Sequence, residues 1–469
     1  MKLVVPQDRA EALLAVLGAA LVLGMLALIW STRGLHHGNA TTIAAVLPLI
    51  LWLAVPTAAL LLAGQAIARM RVTPFAWGVV ILTGLAMRLL WLGHTPPLED
   101  DYYRYLWDGA LVAHGLDPYR HAPEAFLTSA RGPASHAALA ARARDVIEHI
   151  NFNDMRTIYP GTAQAVFALA HLIAPFKLDG LRLVFLAGEL VTLGLLVTLL
   201  KELALPPLGA ALYWCNPFAA VMTVGLAHVD ALIPPLVLGA LLAHARDRPI
   251  AALVLLGLAA GVKVWPVMLA PILLWPLLRE PRRLLLGCLA LAATLAIVMG
   301  PVLISTLQPG SGLTAYAGSW SNNNAFYSWV VHGLRAGLGL ADGAERGLRA
   351  VLAIATGLAA LALAVRGDTS LRSLSQRFMI VAATVFYLSP AQFPWYALWF
   401  LPLATLLGCR PLLLASALLP FYYLFFPYWP MEQGRLFFYG MAFIHSVPVL
   451  GWLLLDAIRT RRTQTAKAC

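Results

Sequence analysis

The chain has 469 residues, 60% of them hydrophobic and only 12% charged, with a mean hydropathy of +0.77. A soluble domain carries roughly 25% charged residues, so this composition excludes water as the main solvent. The net charge of +11 does not indicate a nucleic-acid partner, because the basic residues are scattered or sit at the ends of apolar runs, where positive-inside anchoring accounts for them.

Apolar runs recur from end to end, each long enough to cross a hydrocarbon core about 30 Å thick. In lipid every backbone polar group needs an internal partner, so the runs must be helices. The expected fold is an all-α polytopic integral membrane protein with about 12–14 transmembrane helices. Residues 1–469 read as one transmembrane domain with no soluble domain. Lys2 and Arg9 precede a first run from about Leu13 to Trp30. That run is too long for the core of a secretory signal and reads as a retained span. Further spans are expected near 43–66 and 73–93.

The next stretch, 94–157, is too long and too patterned for a plain connector. It opens Glu99-Asp100-Asp101-Tyr102-Tyr103-Arg104-Tyr105-Leu106-Trp107-Asp108-Gly109. Carboxylates clustered at a bilayer edge repel one another and are costly to desolvate, which points to function. As a helix, this segment places Asp101, Arg104, Tyr105 and Asp108 on one face, with Asp100, Tyr103 and Trp107 beside it. One or two acids could simply complement the positive end of a helix begun by Pro96-Pro97; three exceed that role. Short interfacial helices are expected here, with Tyr102, Tyr103, Tyr105 and Trp107 at headgroup depth. Asn151-Phe152-Asn153-Asp154-Met155-Arg156-Thr157-Ile158-Tyr159-Pro160 leads into a span near 158–176. Thr157 and Tyr159 read there as a cap and an interfacial anchor, or Arg156 and Tyr159 sit beside the acids and help hold a phosphate or a sugar.

Spans near 181–200, 206–225, 228–245 and 250–278 come next. Asn216-Pro217, Gly225, His228 and Asp230 set polar groups among apolar ones. A lone buried histidine is ordinary core, but Asp230 two positions on makes His228 less so. Lys263-Val264-Trp265-Pro266 interrupts a long run; the proline can break it, and Lys263 either snorkels or pairs with an anion. After a span near 284–304, the loop 305–345 carries Tyr316, Trp320, Asn322, Asn323, Asn324 and His332. Amides bond sugar hydroxyls and aromatic rings lie under sugar faces, although the same asparagines suit turns.

The last spans are expected near 346–366, 376–391, 396–410, 411–427 and 435–456. Placing Arg69/Arg71, Arg279/Arg282/Arg283, Arg366/Arg372/Arg377 and Arg459/Arg461/Arg462/Lys467 in the cytoplasm puts 94–157, 305–345, 391–396 and 428–434 on the other side. Gln392-Phe393-Pro394-Trp395-Tyr396 and Glu432-Gln433-Gly434-Arg435 thereby join the acids. Cys215, Cys288, Cys409 and Cys469 lack metal-ligand spacing. The chain has no Gly-rich phosphate loop, no dinucleotide fingerprint, no HExxH and no Asp-x-Asp pair. An outward-facing sugar transfer needs a donor that crosses the membrane, which means a lipid-carried sugar.

Asp100-Asp101-Tyr102-Tyr103-Arg104-Tyr105 through Gly109, Thr157-Ile158-Tyr159-Pro160, Asn216-Pro217 with Gly225-x-x-His228-x-Asp230, Lys263-x-x-Pro266 and Pro394-Trp395-Tyr396 follow one another in an informative order. Together they resemble the GT-C superfamily of polyprenol-phosphate-sugar-dependent glycosyltransferases, and within it the bacterial mannosyltransferase-like branch, over roughly residues 70–450. The resemblance implies an inverting transfer of a sugar such as mannose from a polyprenyl-phosphate donor to a lipid or glycan hydroxyl. The active site would face the exterior of a bacterial inner membrane. It implies a general base, assigned to Asp101 because it shares a face with Arg104 and Tyr105, with Asp100 its rival. Arg104, Arg156, Lys263 and Arg435 are the candidates for the donor phosphate. Glu99, Tyr105, Tyr159, His228, Asp230, Trp320, Asn322, His332, Gln392 and Trp395 are the candidates for substrate contact. No cofactor is required by this reading and no divalent metal is indicated; the partners are the lipid-linked donor, a lipid or glycolipid acceptor and membrane lipids, with no nucleic acid. The alternatives are a transporter or flippase of lipid-linked sugars, and a lipid-binding assembly partner without catalysis.

Overall fold

The computed structural model describes residues 6–39, 41–127, 136–324, 326–339, 344–428, 437, 440 and 443–468. Among them the regular elements are helical, and Asn322 and Ala391 form an isolated bridge. Gln7–Thr32, Ile43–Arg69, Leu178–Glu202, Pro281–Ser305, Glu345–Arg366 and Arg410–Tyr428 are long and apolar enough to cross a bilayer. The chain is an all-α, polytopic integral membrane protein.

Against the 12–14 transmembrane helices expected, six of that length stand among the described residues, and other expected spans form as shorter or broken helices. Beside those six helices stand one bent pair, Pro207–Trp214 with Pro217–Gly225, and the shorter apolar helices Pro74–Leu89, Gly161–Ile173, Val229–Ala245, Pro249–Ala260 and Trp265–Arg279. The bent pair turns by 58°. Pro217 has no N–H to continue the first helix, and Asn216 starts the second by accepting from Phe218 N at 3.0 Å and Ala219 N at 3.4 Å. The run 250–278 breaks between Ala260 and Trp265, so Lys263 lies in a gap between helices. The expected span 396–410 is instead two short pieces, Pro394–Trp399 and Leu401–Leu407. Broken helices expose backbone and admit polar side chains at membrane depth only where protein surrounds them.

The acidic segment forms a helix over Asp101–Ala113, beginning two residues later than 99–109. Short helices follow at Ala137–Arg142 and Arg144–Glu148. The acid helix lies against Gly161–Ile173, where an added Cβ at Gly109 would stand 2.3 Å from the Phe167 carbonyl oxygen. Glycine is required by that approach, not by a turn. Tyr102, Tyr105 and Trp107 are buried against protein, so their rings are not turned out to lipid. The Tyr105 ring stacks on Phe167 at 4.5 Å, and Trp107 meets Phe126 edge-on at 5.0 Å. The amphipathic face of this helix is satisfied by a neighbouring helix, so it needs no lipid surface.

A charged cluster that hydropathy could not foretell ties the bundle together elsewhere. Arg88 Nη2 lies 2.6 Å from Glu189 Oε2, with both side chains fully buried. Tyr213 donates to Glu189 Oε1 at 2.7 Å, and Arg88 Nη1 donates to the Trp214 carbonyl at 2.8 Å. Such a cluster is tolerable in lipid because its members pair with one another.

Candidate active site

Pro96-Pro97 and Leu98 set the entrance to the site. Leu98 takes φ +61°, Ala227 before His228 takes φ +57°, and Asn323 takes φ +52°. Left-handed non-glycine residues cost about 1–3 kcal/mol each and persist where the surroundings enforce them. Here they sit in the three loops that meet around the acids.

Glu99 is buried and its Oε1 accepts from Tyr423 at 3.2 Å. Asp100 occupies the N-cap of the acid helix but makes no side-chain cap bond; its Oδ2 lies 3.2 Å from His37 Nδ1 in the first interhelical loop. Asp101 accepts from the Tyr105 hydroxyl at 3.4 Å, one helical turn on. The Asp101 side chain keeps 38% of its surface accessible. Burial pushes Asp100 up to about 7. Burial, then the Asp100 charge, pushes Asp101 up to about 7 against the pull of Lys263. Burial, then Asp101 and Asp100, raises Glu99 well above the usual carboxylate range. All three lie in the loop and helix start outside the spans.

The central histidine and lysine arrive from the broken helices. His228 places Nδ1 3.7 Å from Asp101 Oδ2 and Nε2 4.0 Å from Glu99 Oε2. Its ring is stacked flat on Trp395 at 3.7 Å, and neither nitrogen has a hydrogen-bond partner among the described residues. Two buried imidazole nitrogens without partners are costly to keep. Asp230 is fully buried, 2.9 Å from Lys263 Nζ through Oδ2, and its Oδ1 accepts from Trp399 Nε1 at 2.6 Å. Lys263 Nζ lies 3.8 Å from the centre of the Tyr396 ring. The Tyr396 hydroxyl meets the Tyr316 hydroxyl at 2.6 Å.

Tyr316 also lines an apolar cavity of about 780 Å³. Val264, Leu295, Leu303, Trp320 and Ala391 form part of its wall. The cavity therefore begins one tyrosine pair away from the Lys263–Asp230 ion pair. This combination, an accessible carboxylate beside a cation and a chamber for an oily chain, suits an amphiphilic substrate.

The other expected site residues divide. Tyr159 joins the acids, donating to the Tyr105 hydroxyl at 3.4 Å; it is buried, not an interfacial anchor. Gln392 donates to the Tyr387 and Ser389 carbonyls at 3.0 and 3.2 Å, and Asn322 bonds the Tyr422 hydroxyl at 3.4 Å. Both therefore shape the loop that carries Trp395. Trp320 belongs to the cavity, while His332 is exposed on the helix Phe326–Leu338. Arg104 donates to the Met155 and Phe152 carbonyls at 3.0 and 2.8 Å. Arg156 donates to Gln308 Oε1 at 2.6 Å and to the carbonyls of Gln308 and Pro309 at 3.0 and 2.5 Å. These two guanidiniums clamp loops. Thr157 does not cap a helix; it accepts from Gln164 at 3.2 Å beside Asp108. Arg435 lies outside the described residues.

Sequence reasoning missed His37, Trp399 and Tyr423. Nothing local singles out His37. The density of rings in Pro394-Trp395-Tyr396-Ala397-Leu398-Trp399 was the available signal for Trp399.

The family model for glycosyltransferase family 87 matches residues 157–390. That range holds His228, Asp230, Lys263 and most of the cavity, and begins after the acids. Alpha-(1->6)-mannopyranosyltransferase A of Mycobacterium tuberculosis is 28% identical over 351 residues, covering 68% of this chain and 64% of the relative. The match thus spans less than two thirds of that relative's length. No solved structure matches the chain. Both likenesses are to glycosyltransferases, and the name of the relative specifies mannosyl transfer.

Proposed function

We propose that this mannosyltransferase-like membrane glycosyltransferase of GT-C type moves a hexose from a polyprenyl-phosphate donor to a hydroxyl of a lipid or glycolipid acceptor. Mannose is the sugar favoured by the name of the mycobacterial relative. The site faces the exterior of the bacterial inner membrane, on the side opposite the arginine-rich span ends. The observation that carries the reading is the run of contacts from the acids to the cavity: Asp101 beside His228, Lys263 over the Tyr396 ring, and the Tyr396 hydroxyl on Tyr316, which lines the cavity. At about 780 Å³ the cavity falls within the roughly 300–1,000 Å³ of ordinary ligand sites.

The acceptor hydroxyl approaches Asp101, whose carboxylate takes the proton as the oxygen attacks the anomeric carbon. The bond from that carbon to the phosphate oxygen breaks, and the electron pair leaves with the polyprenyl phosphate. A single displacement inverts the anomeric centre, so a β-linked donor gives an α-linked product, the linkage in the relative's name. Lys263 supplies positive charge near the leaving group, Trp395 and His228 wall the sugar's position, and the scheme calls for no cofactor.

The test is transfer by purified protein in lipid nanodiscs, offered polyprenyl-phosphate mannose or a nucleotide mannose. Product is expected from the first alone; product from the nucleotide sugar overturns the reading.

A pH profile follows from the raised carboxyls. The base must be ionised, so kcat/KM is expected to fall tenfold per pH unit below about 7, where Asp100 and Asp101 titrate as a pair. An acid limb near the ordinary 3.8 would remove Asp101 from that role. The stability effect has the opposite sense. Both groups hold a proton more tightly folded than unfolded, so their contribution is full below about 3.8 and is lost as pH rises through about 7.

A further inference from the structure

One ion pair, unused by the chemistry above, holds both the loop that delivers the acids and the turn that delivers the histidine. Asp179 and Arg182 stand near the start of the helix Leu178–Glu202, with Arg182 Nη1 3.1 Å from Asp179 Oδ1. Gly93, on the chain leading to Glu99, turns at φ +77° and donates its N–H to both Asp179 oxygens at 3.1 Å. Arg182 also reaches the turn that precedes His228. Its Nε donates to the Val224 carbonyl at 3.1 Å, and its Nη2 to the Gly225 carbonyl at 2.8 Å.

Each half of this arrangement has a physical reason. The helix Pro217–Gly225 stops where the chain turns away through Ala227 at φ +57°. The last carbonyls of a helix have no helical N–H to receive, and a cation suits that end. The planar fork of arginine presents Nε and Nη2 to adjacent carbonyls while Nη1 turns to a carboxylate, which lysine cannot do. Arg182 is buried, whereas the Asp179 side chain keeps 39% of its surface accessible. The two segments also touch directly: a Cβ added at Gly225 would stand 2.9 Å from the Trp91 ring, just ahead of Gly93. An acid serving only the start of its own helix would need neither Gly93 nor the far carbonyls. Just beyond the clamped turn, His228 Nδ1 lies 3.7 Å from Asp101 Oδ2.

We infer that Asp179 and Arg182 are positioning residues for glycosyl transfer: they hold the chain before Glu99 and the turn before His228 in register, and so set the His228 ring against Asp101. Neither touches the reacting atoms. That Asp101 is the base is the reading given above; the clamp itself rests on the hydrogen bonds to Gly93, Val224 and Gly225. Misplacing a reacting group by about 1 Å costs on the order of a hundredfold in rate, so the clamp acts on kcat more than on binding.

The test uses the full chain in lipid nanodiscs, with Arg182→Lys and Asp179→Asn each alone and combined with His228→Gln. Lysine keeps the charge without the fork, and asparagine keeps an oxygen for Gly93 without the charge. For Arg182→Lys, kcat with polyprenyl-phosphate mannose is expected to fall about ten- to a hundredfold, with KM for donor and acceptor within about twofold. Asp179→Asn should fall less. In the His228→Gln background the same changes should cost no more than about twofold, because the side chain they position is gone. An equal factor in both backgrounds shows bracing of the fold only and overturns the inference, as does an unchanged kcat in Arg182→Lys. A second readout needs no turnover and decides the matter also where His228→Gln abolishes activity. In protein labelled with ¹⁵N-histidine, Asp101→Asn is expected to move the His228 ring signals. Arg182→Lys should abolish that response while the other histidine signals stay in place; a response that persists overturns the clamp. If wild type makes product from a nucleotide sugar yet Arg182→Lys loses the response, the proposed function falls and the clamp stands.

Discussion

Asp101→Asn is expected to lower sugar transfer by about 10²- to 10⁴-fold, the usual contribution of a positioned base. Asparagine keeps the size of the side chain and its contact with Tyr105 but cannot accept the proton. The protein should still fold: removing a carboxyl that burial penalises relieves cost, so its thermal midpoint above pH 7 should hold or rise. Donor binding should be unchanged, which places the loss in kcat. Asp100→Asn is the control. Asp100 pairs with His37 rather than His228, so its loss should cost far less. Full activity in the Asp101 variant would end the assignment, and a collapse of Asp100→Asn with normal Asp101→Asn would transfer the role to its neighbour. A flippase needs no base, so retained lipid movement with abolished transfer separates the two functions.

Lys263→Met is expected to cost about 3–5 kcal/mol of stability, because it leaves Asp230 ionised, buried and without its cation. The double variant Lys263→Met/Asp230→Asn should recover most of that loss, since the pair is removed as a unit. Activity should not return with it. Lys263 is the cation opposing burial at Asp101, so both variants should shift the acid limb of the rate profile to higher pH as well as lower the rate. Chemical unfolding followed by tryptophan fluorescence gives the stability; the profile gives the site. A double variant with wild-type rate and limb would make the ion pair architectural only.

Much of the frame was legible in composition and order. Run length and hydropathy imposed helices in lipid, and Pro217 and Pro266 marked where two runs break. The helical period from Asp101 correctly set Tyr105 beside it, because four residues make one turn whatever lies around the helix. The same period put Arg104 on that face, but its reach carried the guanidinium away to the 152–155 carbonyls. Long flexible side chains are the residues whose targets a local pattern least constrains. The partners of the aromatic rings were open for a related reason: rings at the start of the acid helix could face lipid or another helix, and Gly109 let Gly161–Ile173 come close enough to take Tyr105.

What the chain order alone decided was the solvent, the helical class and a cluster of acids too costly to be idle, since these depend on neighbouring residues and their period. What the tertiary structure decided was partnership. Asp230 meets Trp399 across 169 positions, Glu99 meets Tyr423 across 324, and His37 reaches Asp100 from another loop. Helices follow from short-range sterics and hydrogen bonds, whereas the environment that tunes a carboxyl is assembled from segments far apart in sequence.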